Sequence, residues 1–571
     1  MGKYKKNKHK DQKEKRNSIP KPFIMLLISA FIIIIPLLGK KITGGHDYLF
    51  HSTNMILTNE YIDIFNFNIL LPKVFGGTIA NGFGYGTGIF YPPLSYYLTS
   101  YITYLLNLSN HNTVLSLTYL QILIVFTSGI VMYKFIKRIS KDDYISMIGS
   151  ISYICSTYFI GNIYTRTAIG ESLTFIFLPL VFYGLYELFY GSSSKFYLLF
   201  TIGYIGLINS HLVLTLFITI LILILFLINF KIVFKKDKLI KLTISSILVL
   251  LISSPFLVPF LEHSILGSYS VYEEYFMYTI DEIKEHALNI TDFFIIKHKT
   301  ETGIEVYINY AILIPSILTI IFNKQIFEKE KRKNYISILI LILLSTFIST
   351  KYFPWEIMPS YIQMIQFPWR MIGIVSFGLS IISGYVIKLI DEKKRKVVAY
   401  ALVIFIAFFG FATIARERIL DIVYPETMYM GVQSEYLPSN TSKNLTYYET
   451  RNKDIKLQNG EAEINIVEND TPYLKAEVTL ISDNIKIELP RLYYLGYEIK
   501  LIEQDGNINK IDYYENKNGF IELDVSKSGI LEIDYKGTTA NKIANYVCLI
   551  TLIAVLITII YKKRKIGNSH K

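Results

Sequence analysis

The segment FIMLLISAFIIIIPLL, from Phe23 to Leu38, is followed after a short linker by GGHDYLFH, from Gly44 to His51. The first run carries no charge and resembles a membrane-spanning helix, which needs about 20 apolar residues at a rise of 1.5 Å each. The second run places one carboxylate and two imidazoles directly beyond the outer end of that helix. Packing in a bilayer requires no such cluster, so the two runs together predict a membrane protein with acid/base chemistry at the outer leaflet.

The composition of the whole chain is that of a polytopic membrane protein. Of its 571 residues, 51% are hydrophobic and 18% are charged, whereas a soluble chain of this length would form several domains and carry more charge. The net charge of +12 is concentrated beside the apolar runs, which is typical of cytoplasmic loops and not of a nucleic-acid-binding face. Residues 1–22 carry nine Lys or Arg and two acids and are predicted to be a basic cytoplasmic tail.

The apolar runs predict about twelve membrane spans. They lie near residues 23–39, 113–133, 144–160, 172–190, 196–209, 212–230, 242–260, 304–322, 335–350, 371–389, 397–414 and 545–561. With this topology the basic loops share one side of the membrane, so the N- and C-termini are expected in the cytoplasm. Residues 89–107 are interpreted as an interfacial or re-entrant helix, because one more crossing would move the basic loop 134–141 to the outside.

The predicted organisation is a transmembrane domain at 23–414, with a first outward loop at 40–112, followed by a different kind of segment at 415–544. There, apolar and polar residues alternate, as at 462–466 and 485–489, and Asn, Asp and Gly separate the alternating runs. This pattern predicts an extracytoplasmic β-rich domain, resembling a sandwich. Residues 545–571 are predicted to form a final transmembrane helix and a basic cytoplasmic tail.

Asp47 is the first candidate for chemistry. A glycan hydroxyl needs a base, and a departing lipid phosphate needs cationic or hydrogen-bonding partners. Asp47 is therefore predicted to be catalytic, and His46 and His51 are predicted to help hold the phosphate. The alternative is that Asp47 is only the N-cap of a helix that begins just beyond a span.

Two arginines at the outer ends of spans are further candidates. Arg166 and Glu171 lie in an outward turn, where a guanidinium suits a phosphate; the alternative is an ion pair that anchors a helix end. Arg370 follows Gln-Phe-Pro-Trp at the outer end of another span, and its alternative role is that of an interfacial residue in an aromatic belt. Tyr91 is one of many tyrosines in outward loops, where they could stack on sugars or form a membrane-interface belt.

Several kinds of site have no signature in this chain. The sequence contains no phosphate-binding glycine loop, no dinucleotide fingerprint and no nucleophile elbow, so it gives no support for nucleotide chemistry. Its two cysteines, Cys155 and Cys548, lie in predicted spans and indicate neither a disulfide framework nor a thiolate metal site. No metal site is assigned; His46, Asp47 and His51 are the residues that a divalent ion would use.

Six pieces of this sequence together resemble the GT-C glycosyltransferases, and among them the bacterial YfhO-like membrane proteins and the relatives labelled 6-pyruvoyl-tetrahydropterin-synthase-related. The pieces are Gly45–Asp47 with His51, 84–94, 166–171, 366–370, 435–438 and 489–497. The resemblance implies a GT-C-like helical bundle in which Asp47 matches the loop acid that acts as base or orients the acceptor.

The same resemblance implies transfer of a sugar from a polyprenyl-phosphate donor to a cell-envelope glycan or teichoic-type polymer, at the outer face of the membrane. Two other functions stay open at this point: a non-enzymatic transporter, and a scaffold whose β-domain binds envelope polysaccharide. The predicted spans carry almost no charge at their centres, whereas a transporter usually has charged or broken helices at mid-membrane depth. This favours chemistry at the outer surface.

Overall fold

The computed structural model describes residues 20–39, 45–62, 72–77, 79–108, 113–191, 193–273, 278–296, 299–300, 303–328, 332–359, 362, 364–417 and 434–568. Most of the predicted basic tail at 1–22 lies outside these residues, as do Gly44 and the segment 418–433. The chain forms a helical bundle followed by a β-sandwich and a last long helix, which confirms the predicted fold class of a polytopic helical membrane protein with a C-terminal β-rich region.

The helices are numbered in chain order. They are α1 (Lys21–Ile34), α2 (Tyr48–Tyr61), α3 (Thr87–Phe90), α4 (Leu94–Leu105), α5 (Thr113–Ser140), α6 (Asp143–Ile154), α7 (Thr157–Gly161), α8 (Ile169–Tyr190), α9 (Ser193–Ser210), α10 (Leu212–Ile228), α11 (Phe230–Val233), α12 (Lys236–Leu266), α13 (Ile280–Glu285), α14 (Tyr310–Ile321), α15 (Asn323–Ile326), α16 (Arg332–Ile348), α17 (Ile372–Gly384), α18 (Glu392–Glu417), α19 (Ser439–Lys443), α20 (Leu445–Thr450) and α21 (Thr539–Asn568). A π-helical turn at Asn162–Arg166 follows α7, and 3₁₀ turns at Pro368–Met371 and Tyr385–Leu389 flank α17.

Every predicted span contains helix in the structure. Within the described residues, seven helical segments are long and apolar enough to cross a membrane, and α10, α14 and the Tyr335–Ile348 part of α16 are shorter apolar helices. The predicted span 304–322 begins too early, because α14 starts at Tyr310. Glu305 is fully buried and accepts a hydrogen bond from Arg416 at 3.0 Å. This ion pair holds residues 304–309, which precede α14, in an irregular conformation.

The helices of the bundle pack closely where small residues face a neighbour. Helices α8 and α9 lie side by side, and a Cβ atom on Gly184 would come within 2.7 Å of the backbone nitrogen of Phe200. The absence of a side chain therefore allows the two backbones to approach, as is common between membrane helices. Residues 89–107, predicted as an interfacial segment, form the end of α3 and the twelve-residue α4, separated at Pro92 and Pro93.

The C-terminal region is a sandwich of two antiparallel sheets. Its strands are β1 (Lys456–Asn459), β2 (Ala462–Asp470), β3 (Tyr473–Leu480), β4 (Ile485–Leu492), β5 (Tyr497–Glu503), β6 (Ile508–Lys510), β7 (Tyr514–Glu515), β8 (Phe520–Val525) and β9 (Gly529–Tyr535). One sheet has the order β1-β4-β8-β7 and the other has the order β2-β3-β9-β5-β6. The alternation along β4 and β3 places Ile485, Ile487 and Val478 in the shared core, as a half-buried strand pattern requires.

The sandwich and the first outward loop share one hydrophobic core. Phe83 and Phe90 from the loop are buried in the same cluster as Leu492 and Tyr494 of the β-domain. The backbone N–H of Leu492 donates to the carbonyl oxygen of Phe83 at 2.9 Å. The β-domain is therefore packed onto the loop that carries the candidate catalytic residue.

Candidate active site

The first outward loop is closely packed against the turn between α7 and α8. The backbone N–H of Asp47 donates to the carbonyl oxygen of Arg166 at 2.9 Å. A Cβ atom on Gly45 would lie 2.3 Å from the carbonyl carbon of Arg166, so only glycine allows this approach. The two segments, far apart in sequence, are thereby placed together at the backbone level, before any side chain is considered.

The carboxylate of Asp47 has a specific partner on each oxygen. Its Oδ1 lies 2.8 Å from Nδ1 of His46, and its Oδ2 accepts from Nη2 of Arg166 at 2.9 Å. Asp47 occupies the N-cap position of α2, but its side chain makes no capping hydrogen bond. The geometry therefore gives no support to the alternative in which the Asp47 side chain serves as a helix cap.

Asp47 is ionised in this arrangement. Burial alone would raise the pKa of its carboxyl, but the Arg166 guanidinium and the hydrogen bond from His46 outweigh burial and hold the pKa well below its usual range. The Asp47 side chain remains 24% exposed, so its charged group is accessible from outside the network.

Glu171 joins the two candidate arginines. Nη1 of Arg166 and Nε of Arg370 each donate to Oε1 of Glu171 at 2.8 Å, while the hydroxyl of Tyr158 donates to Oε2 at 2.7 Å. Nε2 of His211 lies 3.6 Å from the same Oε1. The intraloop pair between Arg166 and Glu171, proposed as an alternative from the sequence, is thus present, but it is one link of a larger buried network.

The two arginines differ in whether both of their Nη atoms have a hydrogen-bond acceptor among the described residues. Arg166 is 2% exposed, and its Nη atoms bind Asn162, Glu171 and Asp47. Arg370 is also buried, so it is not the interfacial belt residue of the alternative interpretation. Its Nη1 donates to the Ile365 carbonyl and to the Gln366 side chain. Among the described residues, Nη2 of Arg370 has no hydrogen-bond acceptor.

Unusual backbone conformations occur on both sides of this network. The five-residue π-helical turn ends at Arg166, and Thr167 follows with φ of 57°. Gln366, beside Arg370, has φ of 59°. Left-handed conformations are uncommon for residues other than glycine, and both they and π-turns occur preferentially at functional sites.

A cavity of about 240 Å³ lies next to Arg370. Its polar wall contains His211, Gln366 and Arg370, and its other walls are mainly aromatic and aliphatic. The aromatic lining residues are Phe90, Tyr91, Phe260, Tyr272, Tyr278 and Tyr436. Tyr436 precedes the β-domain strands and stacks on Phe90 with ring centroids 5.3 Å apart, so the C-terminal region supplies part of the cavity wall.

Tyr91 and His51 lie between the cavity and Asp47. Their rings are in edge contact with centroids 5.6 Å apart, and Nδ1 of His51 lies 3.3 Å from the hydroxyl of Tyr96. Burial lowers the pKa of His51 to about 4, so His51 is neutral at pH 7 and is a hydrogen-bonding group instead of a cation. His46 is more exposed than any other member, with 56% of its side chain accessible.

The residues weighed as metal ligands do not converge on one ion. Both oxygens of Asp47 have protein partners, and Nδ1 of His51 faces Tyr96. Across the part of the chain that the structure describes, no group of three or more His, Cys, Asp or Glu side chains is arranged to hold a metal.

All seven residues chosen from the sequence thus lie in one region. Asp47, Arg166, Glu171 and Arg370 form the ionic network, and His46, His51 and Tyr91 surround it. Nothing in the sequence distinguishes Tyr158, because it lies among other aromatic residues in a predicted span. His211 stood out only as a polar residue between two apolar runs, which is more often a boundary residue than a binding one.

Comparison with known proteins identifies the family. A family model described as the bacterial membrane protein YfhO matches residues 46–561. The chain belongs to the YfhO family. This confirms the family recognised from the sequence. The chain is accordingly a multi-pass membrane protein of a bacterial family.

Two known proteins are similar to this YfhO-family chain. An uncharacterized protein of Lactococcus lactis subsp. cremoris (strain MG1363) is 25% identical over 617 residues, and the match covers 96% of each chain. The crystal structure of the Archaeoglobus fulgidus oligosaccharyltransferase in the apo form is similar over 76% of this chain, with 12% identity and a TM-score of 0.41. The similarity covers 58% of the oligosaccharyltransferase chain.

Proposed function

We propose that this YfhO-family protein transfers a sugar from a polyprenyl-phosphate donor to a cell-envelope glycan or teichoic-type polymer at the outer face of the membrane. The observation that carries the proposal is the buried ionic network that runs from the accessible carboxylate of Asp47 to Arg370 in the cavity wall. An acceptor-binding acid and a phosphate-binding cation are the two groups that transfer from a lipid phosphate requires.

In this mechanism Arg370 binds the donor phosphate. The Nη2 of Arg370 is a hydrogen-bond donor without an acceptor among the described residues, and the residue Arg370 lines the cavity. A guanidinium is suited to bind phosphate oxygens and to stabilise the charge that develops on them as the sugar departs. Arg166 was the first choice for this role from the sequence, but its Nη atoms already bind two carboxylates, so its role is to position Asp47 and Glu171.

Asp47 orients the acceptor hydroxyl. Because its pKa is held well below the usual range, it is a weak proton acceptor at neutral pH, and a general base works best with a pKa near that of the medium. As a permanent anion it is a good hydrogen-bond acceptor for a sugar hydroxyl. His46 and His51 would help to hold the phosphate through ring N–H groups, and Tyr91 would contribute a hydroxyl at the boundary between the two substrates.

The aromatic walls of the cavity suit a sugar, whose apolar face packs on aromatic rings while its hydroxyls meet polar groups. The β-domain would position the acceptor polymer, because Tyr436 and the loop under the sandwich form one side of the cavity. The site would lie outside the cell, with both termini of the chain in the cytoplasm, as the distribution of basic loops predicts.

The test compares Asp47→Asn with wild type. Cells that lack the protein are complemented with each form, and their envelope glycans are analysed by mass spectrometry. The substitution keeps the shape of the side chain and removes its charge, and we expect transfer to fall by about 10²-fold, the cost of losing the orientation of a reacting group, while protein level and membrane insertion stay normal. The donor lipid itself is identified by mass spectrometry of lipids that co-purify in nanodiscs.

Asp483→Asn is the matched control, because Asp483 is exposed in the β-domain and has no part in the network. Full transfer activity in the Asp47→Asn strain would exclude the proposed mechanism. Loss of activity in both variants would point to a general effect of charge removal.

A further inference from the structure

A second cavity, of about 210 Å³, lies where the β-domain, α12 and α21 meet. Lys73 from the first outward loop and Pro255 from α12 form one side, and Tyr535, Lys536 and Asn541 form the other. Asn541 lies in the first turn of α21, the final candidate span. The cavity is therefore at the outer end of a membrane helix, separate from the ionic network of Asp47.

Lys73 is placed here by a local feature of α12. In a helix each carbonyl oxygen accepts from the N–H four residues further on, but the residue four positions after Pro255 is Pro259, which has no N–H. The carbonyl of Pro255 is thus left without a helical partner. Nζ of Lys73 donates to it at 2.8 Å, and this uses one of the three ammonium hydrogens.

Within the part of the chain that the structure describes, no counter-charge is paired with Lys73. Within the described residues no carboxylate lies at ion-pair distance from its ammonium, and burial lowers its pKa to about 8, so it is still mainly protonated at neutral pH. Lys536 also lines the cavity and pairs with Asp534. The cavity therefore has an excess positive charge, which is costly in a buried place unless an anion occupies it.

Two of the residues that line the cavity also carry a polar atom with no partner in the described part of the chain. Asn541 is 5% exposed, and its Oδ1 is buried without a hydrogen bond. The hydroxyl of Tyr535 is also buried without one. The start of α21 adds the partial positive charge of a helix N-terminus. A ligand with an anionic oxygen and a hydroxyl would satisfy all of these groups together.

We propose that this cavity binds the phosphate of an anionic lipid of the outer leaflet, with Lys73 as its cation. The Tyr535 hydroxyl donates to a phosphate oxygen, and the Asn541 oxygen accepts from a hydroxyl of the headgroup. Either a glycerol phospholipid or a polyprenyl phosphate supplies such a phosphate. The proposal is independent of glycosyl transfer, since none of its residues belongs to the network around Asp47.

The experiment measures lipid binding to the purified full chain by native mass spectrometry. The delipidated protein is titrated separately with phosphatidylglycerol, with a polyprenyl monophosphate and with phosphatidylcholine. We expect one of the two anionic lipids to bind more tightly than phosphatidylcholine, and we expect Lys73→Met to weaken that binding about fivefold, the factor for loss of one cation near an anionic lipid. Lys73→Arg should retain binding, and the lipid whose affinity changes identifies the source of the phosphate.

Lys527→Met is the control for loss of one positive charge, because the Lys527 side chain is 60% exposed on the β-domain. If Lys73→Met binds both anionic lipids as well as wild type does, Lys73 serves only the Pro255 carbonyl and the proposal is wrong. If that variant does not fold, Tyr535→Phe replaces it, since it removes one hydroxyl and no charge. Unchanged binding of both anionic lipids to Tyr535→Phe would then overturn the proposal.

Discussion

Replacing Glu171 with Gln tests whether the ionic network is a unit. The substitution keeps the size of the side chain and removes the one charge to which both Arg166 and Arg370 donate. Removing one partner of a buried ion pair typically costs about 3–5 kcal/mol, because the other charge stays buried without compensation. Asp47 still pairs with Arg166, and the Gln oxygen still accepts a hydrogen bond, so we expect the lower end of that range, about 3 kcal/mol.

The cost should appear as a lower melting temperature. For domains of 150–250 residues, 1 kcal/mol corresponds to about 2–4 °C, and the shift is smaller in longer chains. For a chain of this length we therefore expect a decrease of about 2–3 °C in detergent. A thiol-reactive dye can report unfolding, because Cys155 is a buried free cysteine; Cys548 is partly exposed and sets the baseline.

Glu449→Gln provides the control, because Glu449 is exposed on α20 and should leave the melting temperature unchanged. The double variant Glu171→Gln with Asp47→Asn should be more destabilised than the sum of the single variants, because Arg166 then loses both of its carboxylate partners. If Glu171→Gln melts at the same temperature as Glu449→Gln, the two arginines do not depend on this carboxylate, and the description of a coupled network is wrong.

Two more predictions follow from the site. Arg370→Gln should both raise the KM for the lipid donor and lower kcat, because it removes a phosphate contact made in the ground state that strengthens as charge develops in the transition state. Steady-state kinetics at several donor concentrations measure this, and an unchanged KM would argue against donor binding by Arg370. His51 has a pKa of about 4 in the folded chain against a usual 6.5, so the unfolded chain takes up a proton more readily than the folded chain. The stability of the fold should therefore fall as the pH decreases from about 6.5 towards 4. His51→Gln should flatten this part of a plot of melting temperature against pH, and an identical slope in the variant would contradict the assignment.

The fold class could be predicted from the sequence because bilayer-spanning helices and half-buried strands leave different patterns. The span boundaries were less predictable where polar groups are buried. The apolar run at 304–322 begins with six residues that are not helical, because Glu305 pairs with Arg416 from a helix more than a hundred residues away. A single sequence contains no signal for that pairing, so hydrophobicity alone places the helix too early.

The site residues could be found one at a time but not as a set. Each of Asp47, Arg166 and Arg370 is a charged residue at the outer end of an apolar run, where burial without function is costly. Their connection through Glu171 depends on the helix packing, since Glu171 and Arg370 are 199 positions apart. Tyr158 was missed because its hydroxyl becomes significant only once the carboxylate that it binds is known.

The network also bears on how the site could accept an anionic donor beside two carboxylates. Asp47 and Glu171 would repel a phosphate, but each is paired with the buried Arg166, and Arg370 adds the second positive charge. The four charges therefore balance, and in the proposed mechanism a phosphate would meet the Nη2 of Arg370, which has no acceptor among the described residues, without a net negative field. Because Arg166 has both carboxylates as partners, it would fix the distance between the proposed acceptor side and the proposed donor side of the site. A guanidinium suits this positioning role at Arg166, since the single ammonium of Lys lacks the two-pronged geometry that binds two carboxylates at once.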